Sequence, residues 1–458
     1  MKQQVDTLLI HGYVITVDDQ RRIYRDGAIA VTGGKIVEVG HTADLMAKYH
    51  GEIYDCKGGV VHPGLVDAHE HLCLHVCRGW EPDTFSVRDT WVNFESLTYP
   101  NVTREVEFAS VEIAAIEWLK NGVTMFSDTG SAFYALETLE CANRTGIRGF
   151  IGGIGGDTFQ DELAFLGRSP ERILGDMEAG LRQFADTRVQ AGAQLCGMGD
   201  CTDEVVLSGK ELARKYNQTL FMHQCTYPEE VAAYHKKYGV GPIRHLYDLG
   251  VLDNQTALVH MACLDEGDVE ILRETGTHVV HCPGASQKFG MGAFSAGKFP
   301  EMQAAGINIA LGTDSGTWCD SLDVLQLVYL AAVGHREARR DRTPINSYTA
   351  FEMATINGAK ICGKGDVLGS LEAGKLADIV IHRTDVPECR PAVDPFINLV
   401  FSARSKSVDT VLIEGQFVLL HGKILTMDEE AVYENAERIS YDFKKQVGFD
   451  VYSKWPIL

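Results

Sequence analysis

Six residues of this chain have the type and placement to do metal chemistry: His69, His71, His223, His260, His281 and Asp314. The first two close the run Val60-Val-His-Pro-Gly-Leu-Val-Asp-Ala-His-Glu-His71. Leu65 to Ala68 reads as a short apolar strand, and alternate residues of a strand share a face. Both imidazoles can therefore aim at one point while Glu70 points away. Two neutral imidazoles converging at a strand end begin a metal site. The others also follow apolar runs: His223 after Thr219-Leu-Phe-Met222, His260 after Thr256-Ala-Leu-Val259, His281 after Val279-Val280, and Asp314 after Ile307-Asn-Ile-Ala-Leu311-Gly-Thr. A single histidine after a strand is more often structural. Five histidines and an aspartate at the same end of successive strands make a nitrogen and oxygen ligand set, mononuclear or binuclear, that suits zinc or ferrous iron.

Something must hold those strand ends in one ring. Residues 60–365 alternate apolar strands with helical stretches such as Glu171–Phe184, Ser208–Tyr216, Pro228–Lys237 and Asp265–Thr275. Repeated β–α units predict an α/β fold with a closed (β/α)8 barrel, whose chemistry sits at the carboxyl ends of the strands. The flanks carry a repeat. Val5-Asp-Thr-Leu-Leu-Ile-His-Gly12 matches Val408-Asp-Thr-Val-Leu-Ile-Glu-Gly415, and Gly34-Lys-Ile-Val37 is echoed by Gly422-Lys-Ile-Leu425. A few strands alone bury too little to be stable. Residues 1–59 and 366–458 are therefore expected to build one small β-sandwich, followed by a helix over Tyr433–Val447.

The chain has 458 residues, 45% of them hydrophobic and 23% charged, which suits a globular protein with a sizeable core. Its net charge of −21 disfavours nucleic acid and anionic membrane as partners. The N-terminus has no apolar leader segment, and no apolar run reaches bilayer length. The 12 cysteines form no CxxC pair and read as reduced thiols in a cytoplasmic protein. Cys225, Cys263 and Cys282 read as small core residues. The expected partner is a small molecule, and the expected assembly is a homo-oligomer.

Pro63-Gly64-Leu-Val-Asp-Ala-His69-Glu-His71, Arg78-Gly79, His223, His260, His281-Cys-Pro283 and Leu311-Gly-Thr-Asp314 resemble the amidohydrolase superfamily. The similar branch is the mononuclear one of cytosine and guanine deaminases, atrazine chlorohydrolase and melamine deaminase. Met353-Ala-Thr-Ile-Asn-Gly-Ala-Lys360 and Gly369-Ser-Leu-Glu-Ala-Gly-Lys-Leu-Ala-Asp378 resemble its return into the small domain. The resemblance implies one divalent ion, zinc before ferrous iron, on His69, His71, His223 and Asp314. It gives His260 the task of orienting or protonating the substrate. Such an ion would lower the pKa of a bound water from about 16 toward about 7. Asp314 could take the proton, and His260 could hydrogen-bond the charge that develops.

The chain departs from that pattern. Deaminases of this branch carry a glutamate three residues after the fifth-strand histidine, where His223-Gln-Cys-Thr226 places a threonine. A hydroxyl cannot act as a carboxylic acid near neutral pH. Glu229 and Glu230 read as helix N-terminal residues, and His281 is the expected replacement acid. Ala285-Ser286 stands where Ser-Asn is usual. Gly197-Met-Gly-Asp200 offers no lysine to bridge two ions. Three readings follow: a metal-dependent hydrolase of non-peptide C–N bonds in a small nitrogenous compound; a triazine-type hydrolase displacing chloride, thiol or an alkylamine; and a catalytically inactive metal-binding scaffold. Trp80, Phe85, Trp91 and Phe94 are candidate walls of the substrate pocket, with Thr226, Gln194 and Asp200 as polar contacts.

Overall fold

The barrel forms from two arcs of parallel strands in the computed structural model, which describes residues 1–197, 199–450, 453 and 455. One arc pairs Leu65–Glu70, Val123–Asp128, Arg148–Ile151 and Val189–Ala191. The other pairs Ala193–Gly197, Leu220–Gln224, Thr256–His260, His278–His281 and Ile309–Leu311. Val189–Ala191 and Ala193–Gly197 are one strand interrupted at Gly192, where an added Cβ would meet Gln194 Nε2 at 2.7 Å. The seam closes through a parallel bridge between Glu70 and Asp314 and an Asp314 N–H to His69 C=O bond of 2.9 Å. The result is the (β/α)8 barrel expected, with Met125, Phe150, Phe221, Val259 and Ala310 among the side chains packed in one inner cluster.

Both chain ends enter a single nine-stranded sheet. Its order runs Lys423–Ile424, Gln416–Leu420, Val408–Ile413, Ile379–His382, Val60–Pro63, Gln3–Ile15, Ile23–Thr32 and Lys35–His41, with Tyr49–Asp55 parallel to Gln3–Ile15. The two copies of the Val-Asp-Thr repeat thus lie in one sheet. That sheet folds over on itself. Leu9, Ile29 and Val31 share a buried cluster with Ile379, Ile381 and Leu412, and the Tyr54 ring lies 5.5 Å from that of Phe417. Val60–Pro63, read from sequence as the start of the barrel segment, pairs with Gln3–Ile15 and Ile379–His382 instead. Gly64 makes the crossing, since a Cβ there would strike the Thr124 side chain at 1.9 Å. Barrel pairing then begins at Leu65.

Charge and packing fasten the sheet to the barrel. Arg148, at the start of the third barrel strand, reaches Asp378 at 3.3 Å and Glu414 at 3.0 Å, and Arg188 reaches Glu414 at 2.8 Å. The C-terminal helix spans Glu429–Val447, capped by the Asp428 carboxylate on the Ala431 N–H. It buries Val432, Ala436, Ile439 and Phe443, which recur at helical spacing.

Under the sheet, His62 and His382 face each other, Nε2 to Nε2, at 2.8 Å. His62 Nδ1 donates to the Pro63 carbonyl at 2.7 Å, so its Nε2 accepts from His382. Burial pushes His62 down to about 4 and His382 well below its ordinary value. Unfolded histidine titrates near about 6.5, so between those values the unfolded chain binds more protons. Stability is therefore complete above about pH 6.5 and falls as pH drops toward about 4. In His382→Gln, urea unfolding midpoints measured across that window should fall less steeply with acid than in the parent. An unchanged slope would show that the pair does not titrate on unfolding.

Candidate metal centre and substrate cavity

The strands deliver their polar ends to one rim. His69, His71 and His223 each place a ring nitrogen within 4.8 Å of the others. His71 Nε2 lies 3.1 Å from His223 Nε2 and 3.6 Å from Asp314 Oδ1, while His69 Nε2 lies 3.2 Å from that same oxygen. His260 Nδ1 stands 4.0 Å from Asp314 Oδ2. Two of the three rings are oriented from behind. His69 Nδ1 meets the Thr129 hydroxyl at 2.8 Å, and His223 Nδ1 donates to the Cys196 carbonyl at 2.6 Å. Such partners fix the ring and leave the far nitrogen as the ligand. Glu70 points away from this cluster, as alternation requires, and its Oε2 lies 2.8 Å from the Thr313 hydroxyl oxygen.

The donor set fits a divalent cation. Burial pushes His69, His71 and His260 well below the ordinary imidazole range and lowers His223, so the rings are neutral and available. Burial raises Asp314, against the pull of His260 and His223. Its Oδ2 is buried and receives no hydrogen bond. An orphaned carboxylate oxygen facing imidazoles is what a cation would complete. Cys282 also lies within 4.8 Å of His69 and Asp314, but burial holds its thiol well above the ordinary range.

The backbone is bent to achieve this. His260 and Asp314 adopt φ of 75° and 79°, a region that L residues rarely occupy. Each turns the chain sharply at a strand end, and strain of this kind collects at functional sites. The Asp67 carboxylate holds the turn before Asp314. It accepts the Thr313 N–H at 2.9 Å, the Thr313 hydroxyl, and Trp118 Nε1–H at 3.0 Å.

Above the cluster lies a cavity of about 230 Å³. His71, His223, His260, Asp314 and Thr226 line it, with Trp91, Phe94, Tyr99, Phe159, Tyr227 and Trp318 as aromatic walls. Its volume falls below the range usual for drug-sized ligands, as a small substrate requires. Thr226, expected as a polar contact, reaches it; beneath, Glu230 accepts the N–H of Cys225 at 2.8 Å and of Thr226 at 2.7 Å. That tie gives Glu230 the N-terminal role expected of it.

Four of the expected site residues lie elsewhere. Trp80 does not line the cavity; it is buried against Phe94, Phe443 and Phe449, and Nε1–H donates to Ser440 at 3.3 Å. The C-terminal helix needs that aromatic face, and the packing decides its position. Phe85 is likewise absent from the lining. Gln194 instead bonds the Gly130 N–H and the Ser127 hydroxyl, at 3.0 and 3.2 Å. His281, expected as an acid in reach of the substrate, stacks on Phe299 at 3.9 Å and pairs with His335 at 3.2 Å, behind the strand ends. Asp200 does line the cavity.

Glu95 was not legible as a site residue. It ends the irregular helical stretch Trp91–Glu95, is only 6% exposed, and faces the cavity beside Trp318 and Tyr99. No periodic pattern marks it. Asp67 did leave a signal, an acid inside the apolar run Leu65-Val-Asp-Ala, because a buried carboxylate in a strand must have dedicated donors.

The model of the amidohydrolase family matches residues 60–418. The chain belongs to the amidohydrolase family. A shorter match, residues 27–51, is to a bacterial imidazolonepropionase-like composite domain. Among curated relatives, a 5-methylthioadenosine/S-adenosylhomocysteine deaminase of Syntrophobacter fumaroxidans is 28% identical over 453 residues, 96% of this chain and 99% of that protein. The crystal structure of an adenosine deaminase from Xanthomonas campestris with bound zinc superposes with a TM-score of 0.90 at 25% identity, over 98% of this chain and 100% of that one. An atrazine chlorohydrolase of Arthrobacter aurescens shares the fold, with a TM-score of 0.86 at 23% identity over 95% and 100% of the two chains. This amidohydrolase is a metal-dependent hydrolase of C–N bonds other than peptide bonds.

Two outcomes are expected of this amidohydrolase. Elemental analysis should find about one divalent ion per chain, falling at least tenfold in His71→Ala, because tetrahedral sites use about four ligands and, among the described residues, both candidate ligand groups share His69. Two tightly held ions would refute the single-ion assignment. His281→Asn should lower thermal stability by about 1–3 kcal/mol, the cost of an unpaired buried partner at His335. It should leave metal content and the pH profile of turnover in place. A hundredfold loss of turnover at full metal content would return His281 to acid–base work.

Proposed function

We propose that this protein is a mononuclear, zinc-dependent aminohydrolase that releases ammonia from an amino-substituted nitrogen heterocycle. The observation that carries the reading is the convergence of His69, His71, His223 and Asp314 at the floor of a small aromatic cavity. His69, His71, His223 and Asp314 would hold the ion. When bound, it supplies Lewis acidity and an ionisable water near neutral pH. The naming of curated relatives as deaminases of adenosine derivatives, and of zinc in a structural neighbour, supports the same chemistry.

The chain's own groups divide the remaining work. Asp314 Oδ2, buried and without a donor, is placed to take a proton from the attacking water. His260, 4.0 Å away, can then hydrogen-bond the charge that develops on the ring. The aromatic walls stack a planar heterocycle and keep bulk water from the reacting carbon. Thr226 can hydrogen-bond a ring nitrogen but cannot protonate it near neutral pH. That residue favours a second reading, in which the leaving group is chloride, a thiol or an alkylamine that needs less help from an acid. All twelve cysteines are free in the structure, which supports a reducing, cytoplasmic setting. Among the described residues no helix is long and apolar enough to cross a membrane.

Purified metal-replete protein should release ammonia from aminopurine, aminopyrimidine or aminotriazine compounds in a coupled assay. Release of chloride or a larger amine, with no ammonia from any of them, would replace the first reading with the second. Thr226→Glu adds the carboxyl that deaminases of the similar branch carry. It should raise ammonia release tenfold or more if only the acid is weak. A loss of native activity with no such gain would show a pocket rebuilt around threonine.

A further inference from the structure

We propose that the substrate carries, besides the nitrogen it loses, a cationic group (a protonated amine, amidine or guanidine) held by Glu95 and Asp200 against the aromatic wall of the cavity. The inference rests on the proposed aminohydrolase reading and specifies its substrate.

Glu95 and Asp200 come from different loops, after the first and the fourth barrel strands, yet line one cavity. Among the described residues neither has a basic partner. Among them the Asp200 carboxylate also meets no hydrogen-bond donor, and its charged neighbour is another acid, Glu230. Around Glu95 stand Glu81 and Asp314, with Trp318 and Tyr99 as donors. Glu81 adds a second acid whose Oε1 is buried and accepts no hydrogen bond. The nearby cations already have acidic partners. Arg88, which also lines the cavity, pairs there with Asp161 at 4.0 Å and Glu162 at 3.4 Å. Lys288 is bound by Asp320 and by the Thr317 carbonyl at 2.6 Å.

Acids left in this state are held partly protonated. Burial, with Glu81 adding, pushes Glu95 up to about 8, and burial, with Glu230 adding, pushes Asp200 up to about 7. A ligand cation would favour their charged forms, and an anionic ligand would be repelled by them. The walls point the same way by independent physics. Trp91 and Tyr227 sit edge to face with ring centroids 5.6 Å apart, and Tyr99 and Trp318 lie beside Glu95. Aromatic faces attract cations, more strongly where water is excluded. Carboxyls joined to aromatic faces in a small cavity select a delocalised cation over a neutral molecule of the same shape.

Benzamidine and benzamide test this by calorimetry on the metal-replete protein, since they match in shape and differ in charge. The wild-type protein should bind benzamidine at least tenfold more tightly. Glu95→Gln and Asp200→Asn, each with its metal content and thermal midpoint verified, should cut that preference below threefold. Absence of benzamidine binding, equal binding of the two probes, or a preference that survives in both folded variants would overturn the proposal. The underlying aminohydrolase reading is judged separately by ammonia release. Failure there with retained charge selectivity points to a different leaving group, and ammonia release without selectivity sinks only the cation site.

Discussion

The buried carboxylate of Asp67 is the interaction on which the site depends. It lies in the first barrel strand and takes donors from the eighth, the Thr313 N–H and hydroxyl, and from Trp118 on the helix Arg104–Lys120. Burial raises this group to about 6, and those hydrogen bonds pull against the rise. Removing the carboxylate would strand several buried donors, each at a cost of about 1–3 kcal/mol. The same contacts close the barrel. Asp314 follows Thr313 directly, so the carboxylate that faces His69 and His71 is aimed by the residue that joins the sheet to itself.

Closure explains why the strain is tolerated. His260 and Asp314 occupy left-handed backbone that would cost about 1–3 kcal/mol each in isolation. Packed strands on both sides and the bridge from Glu70 to Asp314 leave the chain no alternative there. The histidines meet a related constraint. Burial keeps them neutral, which costs little for imidazole and leaves the ring nitrogens free to bind a cation. Asp314 is the uncomfortable member, a buried carboxylate with an oxygen that nothing donates to.

The cavity divides into a floor and a wall of different character. The floor is built on strand ends, where register holds each group to a fixed position. The wall comes from the segments Val87–Asn101 and Gln160–Leu166 and from the turn after His223, which vary more readily than strands do.

The barrel, the pairing of the chain ends and the cluster of His69, His71, His223 and Asp314 were legible in the residues alone, because each rests on local pattern. Apolar runs of strand length, each ending in a histidine or aspartate, carry their own register, and the Val-Asp-Thr repeat marks its partner by likeness. The roles of the long loops came from packing across the fold. Trp80 and Trp91 are indistinguishable as residue types, yet one is buried under the C-terminal helix and the other walls the cavity. His281 follows a strand as His260 does, but it turns to His335 and Phe299, a choice set by helices far away in the chain. Glu95 and Asp200 become neighbours of one cavity although 105 positions separate them in the chain (200 less 95). Closing a chain loop of that length obeys no local rule; the packing of barrel strands sets it, and no spacing in the sequence records it.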